Sequence, residues 1–343
     1  MASEDHAMNA QTTLVEVTRG LSVESRHAGA VAVVDAEGAV VFSLGDVARP
    51  TFARSSVKAF QALPLVETGA AELFGLSDVE LALACASHGG EPEHVATAAG
   101  ALARLGLDAD ALECGAHWPL NDAAARALAA SGAGPSALHN NCSGKHVGFL
   151  CLACALEVDP RGYVAADHRV QREVTAALEG TMATRLDDAA TGVDGCGVPT
   201  YALPLATIAR GFARFGSGVG LEPVRAEAAR RLMEAAWSAP FQIAGSGRFD
   251  TEAMQLLAGA VFVKVGAEGV HAAALPDLGL GIALKIEDGA SRASEAVMAA
   301  TLLRMLKPAG EAGDFLARRA ERPLRNWAGV EVGVVRATAG LSG

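Results

Sequence analysis

The sequence predicts an α+β fold in which N- and C-terminal segments share a mainly antiparallel sheet around a helical middle. Three observations carry this. Near the start, β-branched runs at 31–34 and 40–44 flank Ala36-Glu37-Gly38 and read as a hairpin. Late in the chain, 260–265 and 270–274 repeat the pattern around Gly266-Ala267-Glu268-Gly269, and 281–286 reads as a further strand. Between these ends the apolar residues recur at helical spacing.

Taken in order, 46–54 reads as a loop containing Pro50. From Ser55 the stripe Ala59, Phe60, Ala62, Leu63, Leu65 and Val66 predicts a helix, interrupted at Pro64 and ended by Gly69. Residues 77–85 read as a second helix, because Ser77 and Glu80 form a capping-box pattern. Ser87-His88-Gly89-Gly90 is the turn after it. Helices follow over 95–105 and 122–130. Residues 138–145 are polar and irregular, and the apolar stretch 147–156 reads as a buried helix with Cys151 and Cys154 on one core face. Segments 168–178 and 224–237 are amphipathic, and 294–306 is the final long helix. Residues 1–12 are expected to be disordered, and 13–338 to form a single integrated catalytic unit with a helical subdomain.

Composition narrows the function. A net charge of −11 argues against nucleic acid and against an anionic membrane surface, since both need concentrated Lys and Arg. The first residues, 1–11, lack the basic start and apolar stretch of a signal peptide, and no apolar window is long enough to span a membrane. The expected location is therefore the cytoplasm, where the six cysteines would be thiols or metal ligands.

Four short segments can carry chemistry. Arg54-Ser55-Ser56-Val57-Lys58 contains S-x-x-K, which sets Lys58 one helical turn from Ser55. Serine attacks only once a base takes its proton, and lysine is that base only when burial or a second cation lowers its pKa. Ser87-His88-Gly89-Gly90 offers a second serine in a glycine-rich turn. Lys264-Val265-Gly266 puts a lysine on a late strand, where Lys264 shares a face with Phe262 and can lower the pKa of Lys58. S-x-x-K, a serine turn and K-x-G in that order match the penicillin-recognising enzymes, although the asparagine usual two residues after the second serine is replaced here by Gly89.

The fourth segment is His139-Asn140-Asn141-Cys142-Ser143-Gly144-Lys145-His146, with Val193-Asp194-Gly195-Cys196-Gly197-Val198-Pro199 further on. If Cys142 and Cys196 converge, two thiolates can bind zinc with Lys145 and Asp194 completing or supporting the site. A cysteine nucleophile at Cys142, or two buried structural loops, fit the spacing as well.

The segments 54–58, 86–90, 140–146 and 193–199 resemble the Rhizobium etli-type L-asparaginases, and the resemblance runs from about Val15 to about Val334. It implies a serine β-lactamase/glutaminase-like fold, hydrolysis of L-asparagine to L-aspartate and ammonia, and a homodimer. It also implies two serine–lysine pairs, Ser55 with Lys58 and Ser87 with Lys264. Cys142, Lys145 and Cys196 match the family's zinc ligands, with Asp194 beside the metal. On this basis Ser55 attacks with neutral Lys58 as base, Ser87 and Lys264 relay protons, and Arg54, His146 and Asp194 bind substrate, while zinc (Zn2+) orients substrate or loops. The rival readings are another serine–lysine amidase, glutaminase or β-lactamase-like, and a non-catalytic zinc-binding protein.

Overall fold

In the computed structural model, which describes residues 12–341, the chain enters as strand β1 (Thr13–Arg19). It turns back into the long β2 (Ser22–Asp35) and folds again into β3 (Val40–Leu44). β2 has two characters, and its sequence explains both. Ser22, Glu24 and Arg26 alternate with less exposed neighbours, as on a strand with one face in water. From Ala30 to Val34 every residue is buried, because here β2 lies between β3 and a C-terminal strand.

The next strands are β4 (Pro50–Phe52), β5 (Ala190–Val193) and β6 (Pro199–Pro204). The C-terminal part contributes β7 (Phe262–Val265), β8 (Val270–Leu275), β9 (Leu280–Ile286), β10 (Glu321–Arg325) and β11 (Glu331–Ala337). The main sheet runs β10-β11-β1-β2-β9-β8-β7, with β3 also paired to β2, and each pairing is antiparallel. N- and C-terminal segments therefore do share one sheet. β8 is buried at each position, so both of its faces are covered, and its sequence is apolar throughout but for His271. The helices Leu205–Ser217 and Ser291–Leu306 both pack on the sheet.

The helix Lys58–Glu67 runs through the centre of the helical part, in contact with Ser143–Ala155, Arg169–Met182 and Pro223–Ser238. Its residues from Lys58 to Leu65 are all buried. Phe60 packs against Phe212 and Phe215, with ring centroids 4.7 and 5.3 Å away. One cluster of buried residues joins these helices to the sheet.

Several expectations change. Residues 46–54 are not all loop, since Pro50–Phe52 pairs with β6. The S-x-x-K segment is a 3-10 turn, Arg54–Val57, ahead of the helix proper. The helix expected over 95–105 begins at Pro92, which needs no N–H in the first turn. Ser143, Gly144 and Lys145 belong to the buried helix rather than to the irregular stretch before it. Cys154 is only half-buried, whereas Cys151 is fully inside. The helix Ser291–Leu306 is not the last, as Gly310–Ala320 follows it. The capping box at Ser77 forms as read. The disorder expected over 1–12 lies, apart from residue 12, outside the described residues. No helix among them is long and apolar enough to cross a membrane.

Candidate active site

Three backbone devices build the site. The first is the small sheet β4-β6-β5, absent from the sequence reading. β5 and β6 form a hairpin whose turn carries Asp194 and Cys196, closed by Asp194 N–H to Val198 O and Gly197 N–H to Asp194 O, both 2.8 Å. Because β4 pairs with β6, the hairpin is tied to the segment just before Arg54. The second is the turn Arg54–Val57, held by Ser56 Oγ donating to Ala53 O at 2.7 Å. Arg54 adopts φ 51°, a left-handed conformation unfavourable for a residue with a Cβ. The third is the close approach of the helix Ser143–Ala155 to the helix Asp78–Ala84. A Cβ at Gly144 would stand 2.2 Å from Leu83 O, so only glycine permits this packing.

Lys58 opens the central helix at 1% exposure, and its Nζ donates to Ala86 O at 2.6 Å and to Asn141 O at 3.2 Å. It thereby joins the S-x-x-K turn to both the Ser87 turn and the Cys142 loop. Lys264, on β7 and fully buried, donates from Nζ to Ser87 Oγ at 2.8 Å and to Val265 O at 2.9 Å. Burial and then the nearby charge of Lys58 lower the Lys264 pKa to about 7. Burying two amines costs stability, and such expense concentrates where chemistry is done.

Ser55 is half-buried, and its hydroxyl makes no hydrogen bond to another described residue. The structure therefore joins Ser87 to Lys264 but does not hydrogen-bond Ser55 to Lys58. Arg54 is paired with Asp194, Nη2 to Oδ1 at 2.9 Å and Nε to the same oxygen at 3.2 Å. Burial pushes the Asp194 carboxyl up, but the Arg54 hydrogen bond and charge outweigh it and hold it below its ordinary value.

Cys142, Lys145 and Cys196 converge. Lys145 Nζ lies 3.0 Å from Cys196 Sγ, and the two thiols are within hydrogen-bonding reach of each other. The hydrogen bond from Cys196 lowers the Cys142 pKa below the ordinary thiol value. Burial works against the Lys145 ammonium, but the charge of Cys142 and Cys196 holds its pKa above the usual range. Two soft sulfurs and an amine form a donor set suited to zinc, with proton loss from Lys145 required on binding. Among the described residues no three His, Cys, Asp or Glu side chains gather as a metal-holding group.

His146 is fully buried, and its Nδ1 meets Tyr163 Oη at 2.7 Å. Tyr163 Oη in turn accepts Glu113 N–H. His146 Nε2 has no hydrogen-bond partner among the described residues. Burial, then Lys145 and Lys58, push the His146 pKa well below its ordinary value. His88 is a structural tie: Nδ1 accepts Gly90 N–H at 3.1 Å and Nε2 meets Ser143 Oγ at 2.9 Å. Gly90, at φ 72°, lets the turn close there.

Sequence reasoning missed Tyr163, and it missed the buried pair Asp250–His271 behind Lys264. For His271 the available signal was a polar residue in an otherwise apolar strand.

A family model described as L-asparaginase II matches residues 15–337. No curated protein matches the chain. Among solved structures, one described as Mglu in its native form is 16% identical, covers 87% of this chain and 69% of that chain, and has a TM-score of 0.45. A β-lactamase from Mycobacterium bovis is 11% identical, covering 78% of this chain and 89% of that one, at 0.37. A simvastatin synthase mutant from Aspergillus terreus is 14% identical, covering 76% and 86%, at 0.34. The α+β class follows from the sheet order and the helices packed on it.

Proposed function

We propose, on the premise that the chain belongs to the L-asparaginase II family and so is an amidohydrolase of asparaginase type, that it hydrolyses L-asparagine to L-aspartate and ammonia through Ser87 and Lys264. The observation that carries this reading is the 2.8 Å hydrogen bond between those side chains. With a pKa near 7, Lys264 is neutral in a sizeable fraction of molecules at neutral pH and takes the Ser87 proton as Oγ attacks the side-chain amide carbon. The Lys264 ammonium then gives that proton to the amide nitrogen, which leaves as ammonia when the C–N bond breaks, and water resolves the acyl-enzyme with the lysine again as base. Lys58, donating to two carbonyl groups, supplies positive charge rather than acting as the base.

Ser87 N–H already donates to Ile243 O, so the oxyanion is held by other donors; the unengaged hydroxyl of Ser55 is the nearest candidate by role. Arg54 takes the substrate α-carboxylate and Asp194 its α-ammonium, each exchanging its present partner for an equivalent charge. The unpartnered Nε2 of His146 is a further substrate contact. Cys142, Lys145 and Cys196 would hold a zinc ion, which supplies charge that fixes the two loops and the nearby substrate groups. The homodimer is part of the same reading, to be tested by molar mass in solution.

A second reading has Ser55 attack while Ser87 and Lys264 receive its proton. The half-buried, unengaged Ser55 hydroxyl next to Arg54 favours it. The test of the function is ammonia release from L-asparagine, with L-glutamine and nitrocefin alongside. Release from L-asparagine alone or foremost supports the assignment. Folded, zinc-loaded protein that releases ammonia from neither amino acid overturns it.

A further inference from the structure

Behind Lys264 lies a buried pair that the mechanism above leaves unused. Asp250 is 2% exposed and His271 fully buried. Asp250 Oδ1 meets His271 Nε2 at 2.8 Å, and Oδ2 accepts Val265 N–H at 2.7 Å. An ionised carboxylate only accepts, so His271 donates from Nε2, and its Nδ1 has no hydrogen-bond partner among the described residues. The carboxylate sits in the first turn of the helix Phe249–Leu256, where the helix dipole favours it. Val265 is also the residue whose carbonyl accepts from Lys264 Nζ. Both main-chain polar groups of the residue beside the lysine are thus committed, one to Asp250 and one to Lys264 itself.

We propose that Asp250, backed by His271, is a positioning residue for Lys264: it fixes the β7 backbone that carries the lysine and sets a buried negative charge against the positive charge of Lys58. This rests on the Ser87–Lys264 reading. Among the forces on Lys264, burial and Lys58 disfavour its ammonium most, Asp250 opposes them, and Arg248 and Cys142 act more weakly in opposite senses. Cys85 and His88 also face it, and burial keeps both neutral near pH 7, with Cys85 pushed up to about 12. Asp250 therefore keeps the lysine from being a weaker base than the serine requires. His271 holds the carboxylate by a directed hydrogen bond.

The experiment is the pH profile of kcat/KM for L-asparagine hydrolysis by wild type, Asp250→Asn and His271→Gln, with Ser87→Ala as reference. Asp250→Asn removes the charge that favours the Lys264 ammonium, so its acid limb moves to lower pH by about one unit. His271→Gln keeps a side-chain donor for the carboxylate but removes the imidazole, so its limb moves less than that of Asp250→Asn. A merely structural role would lower the rate at every pH without moving the limb. If Asp250→Asn fails to fold, judged by thermal unfolding, Asp250→Ser provides the charge-free variant. An unshifted limb in a folded charge-free variant, with Ser87→Ala inactive, overturns this inference and leaves the serine–lysine reading standing. Full activity in Ser87→Ala overturns both.

Discussion

Lys264 and Ser87 are 177 positions apart in the chain, yet Nζ and Oγ meet at 2.8 Å in the interior. The fold brings a strand lysine to a turn serine and places a second lysine close enough to weaken its hold on a proton. The serines are therefore unequal, since Ser87 is hydrogen-bonded to a lysine and Ser55, among the described residues, is not.

Ser87→Ala should lower kcat by roughly a thousandfold or more, the scale seen when an activated nucleophile is removed. Ser55→Ala should cost about a hundredfold, as the loss of one oxyanion donor does. Steady-state ammonia release measures both. A larger loss in Ser55→Ala than in Ser87→Ala moves the attacking oxygen to Ser55.

The wild-type kcat/KM should fall on the acid side of about pH 7, as Lys264 takes up a proton and stops acting as a base. Lys58→Met removes the charge that disfavours the Lys264 ammonium, so its acid limb should move to higher pH. A limb that stays put would mean that the two lysines do not interact.

Arg54→Ala should reduce kcat/KM for L-asparagine by about ten- to a hundredfold, mostly through KM, as for a lost charge-assisted hydrogen bond. Substrate analogues lacking the α-carboxylate should be hydrolysed equally by both proteins. A loss of the same size on those analogues would assign Arg54 to the turn rather than to the substrate.

Cys142→Ser and Cys196→Ser should each abolish stoichiometric zinc, measured by elemental analysis. They should also lower the unfolding temperature and raise KM, with kcat changed much less. Zinc retained in both variants would remove these residues from the ligand set. Equal zinc loss and complete loss of kcat would instead favour chemistry on the metal.

His88 links pH to stability. Burial, then the charges of His94 and Lys58, lower its pKa well below the ordinary value, so the folded state refuses a proton that the unfolded chain takes near 6.5. Its contribution is complete above that pH and is lost below it, at about 1.4 kcal/mol per pH unit until the folded group also titrates. The unfolding temperature should drop less between pH 7 and pH 5.5 in His88→Gln than in wild type. Equal drops would show that other groups dominate acid unfolding.

How much of this was legible depends on how local the cause is. The hairpin of β2 and β3, the capping box at Ser77 and the strand pair β7 and β8 come from residue types within a few positions, and each forms where the pattern puts it. The small sheet β4-β6-β5 was not legible, because its strands are short and half-exposed and its central pairing joins residues near 51 to residues near 203. Its absence from the reading left Arg54 and Asp194 as separate motifs rather than a pair.

The sequence by itself determined the α+β class, the serine, lysine and cysteine motifs and the family they resemble, since periodicity and motif spacing survive without tertiary contacts. Only the tertiary structure decided which lysine meets which serine. Helical spacing suggested Ser55 with Lys58, but Lys58 is drawn instead to Ala86 O and Asn141 O, where buried carbonyl groups need a donor. It also decided the pairing of Asp250 with His271, because the partner a buried carboxylate finds is set by packing across the core and not by its neighbours in the chain.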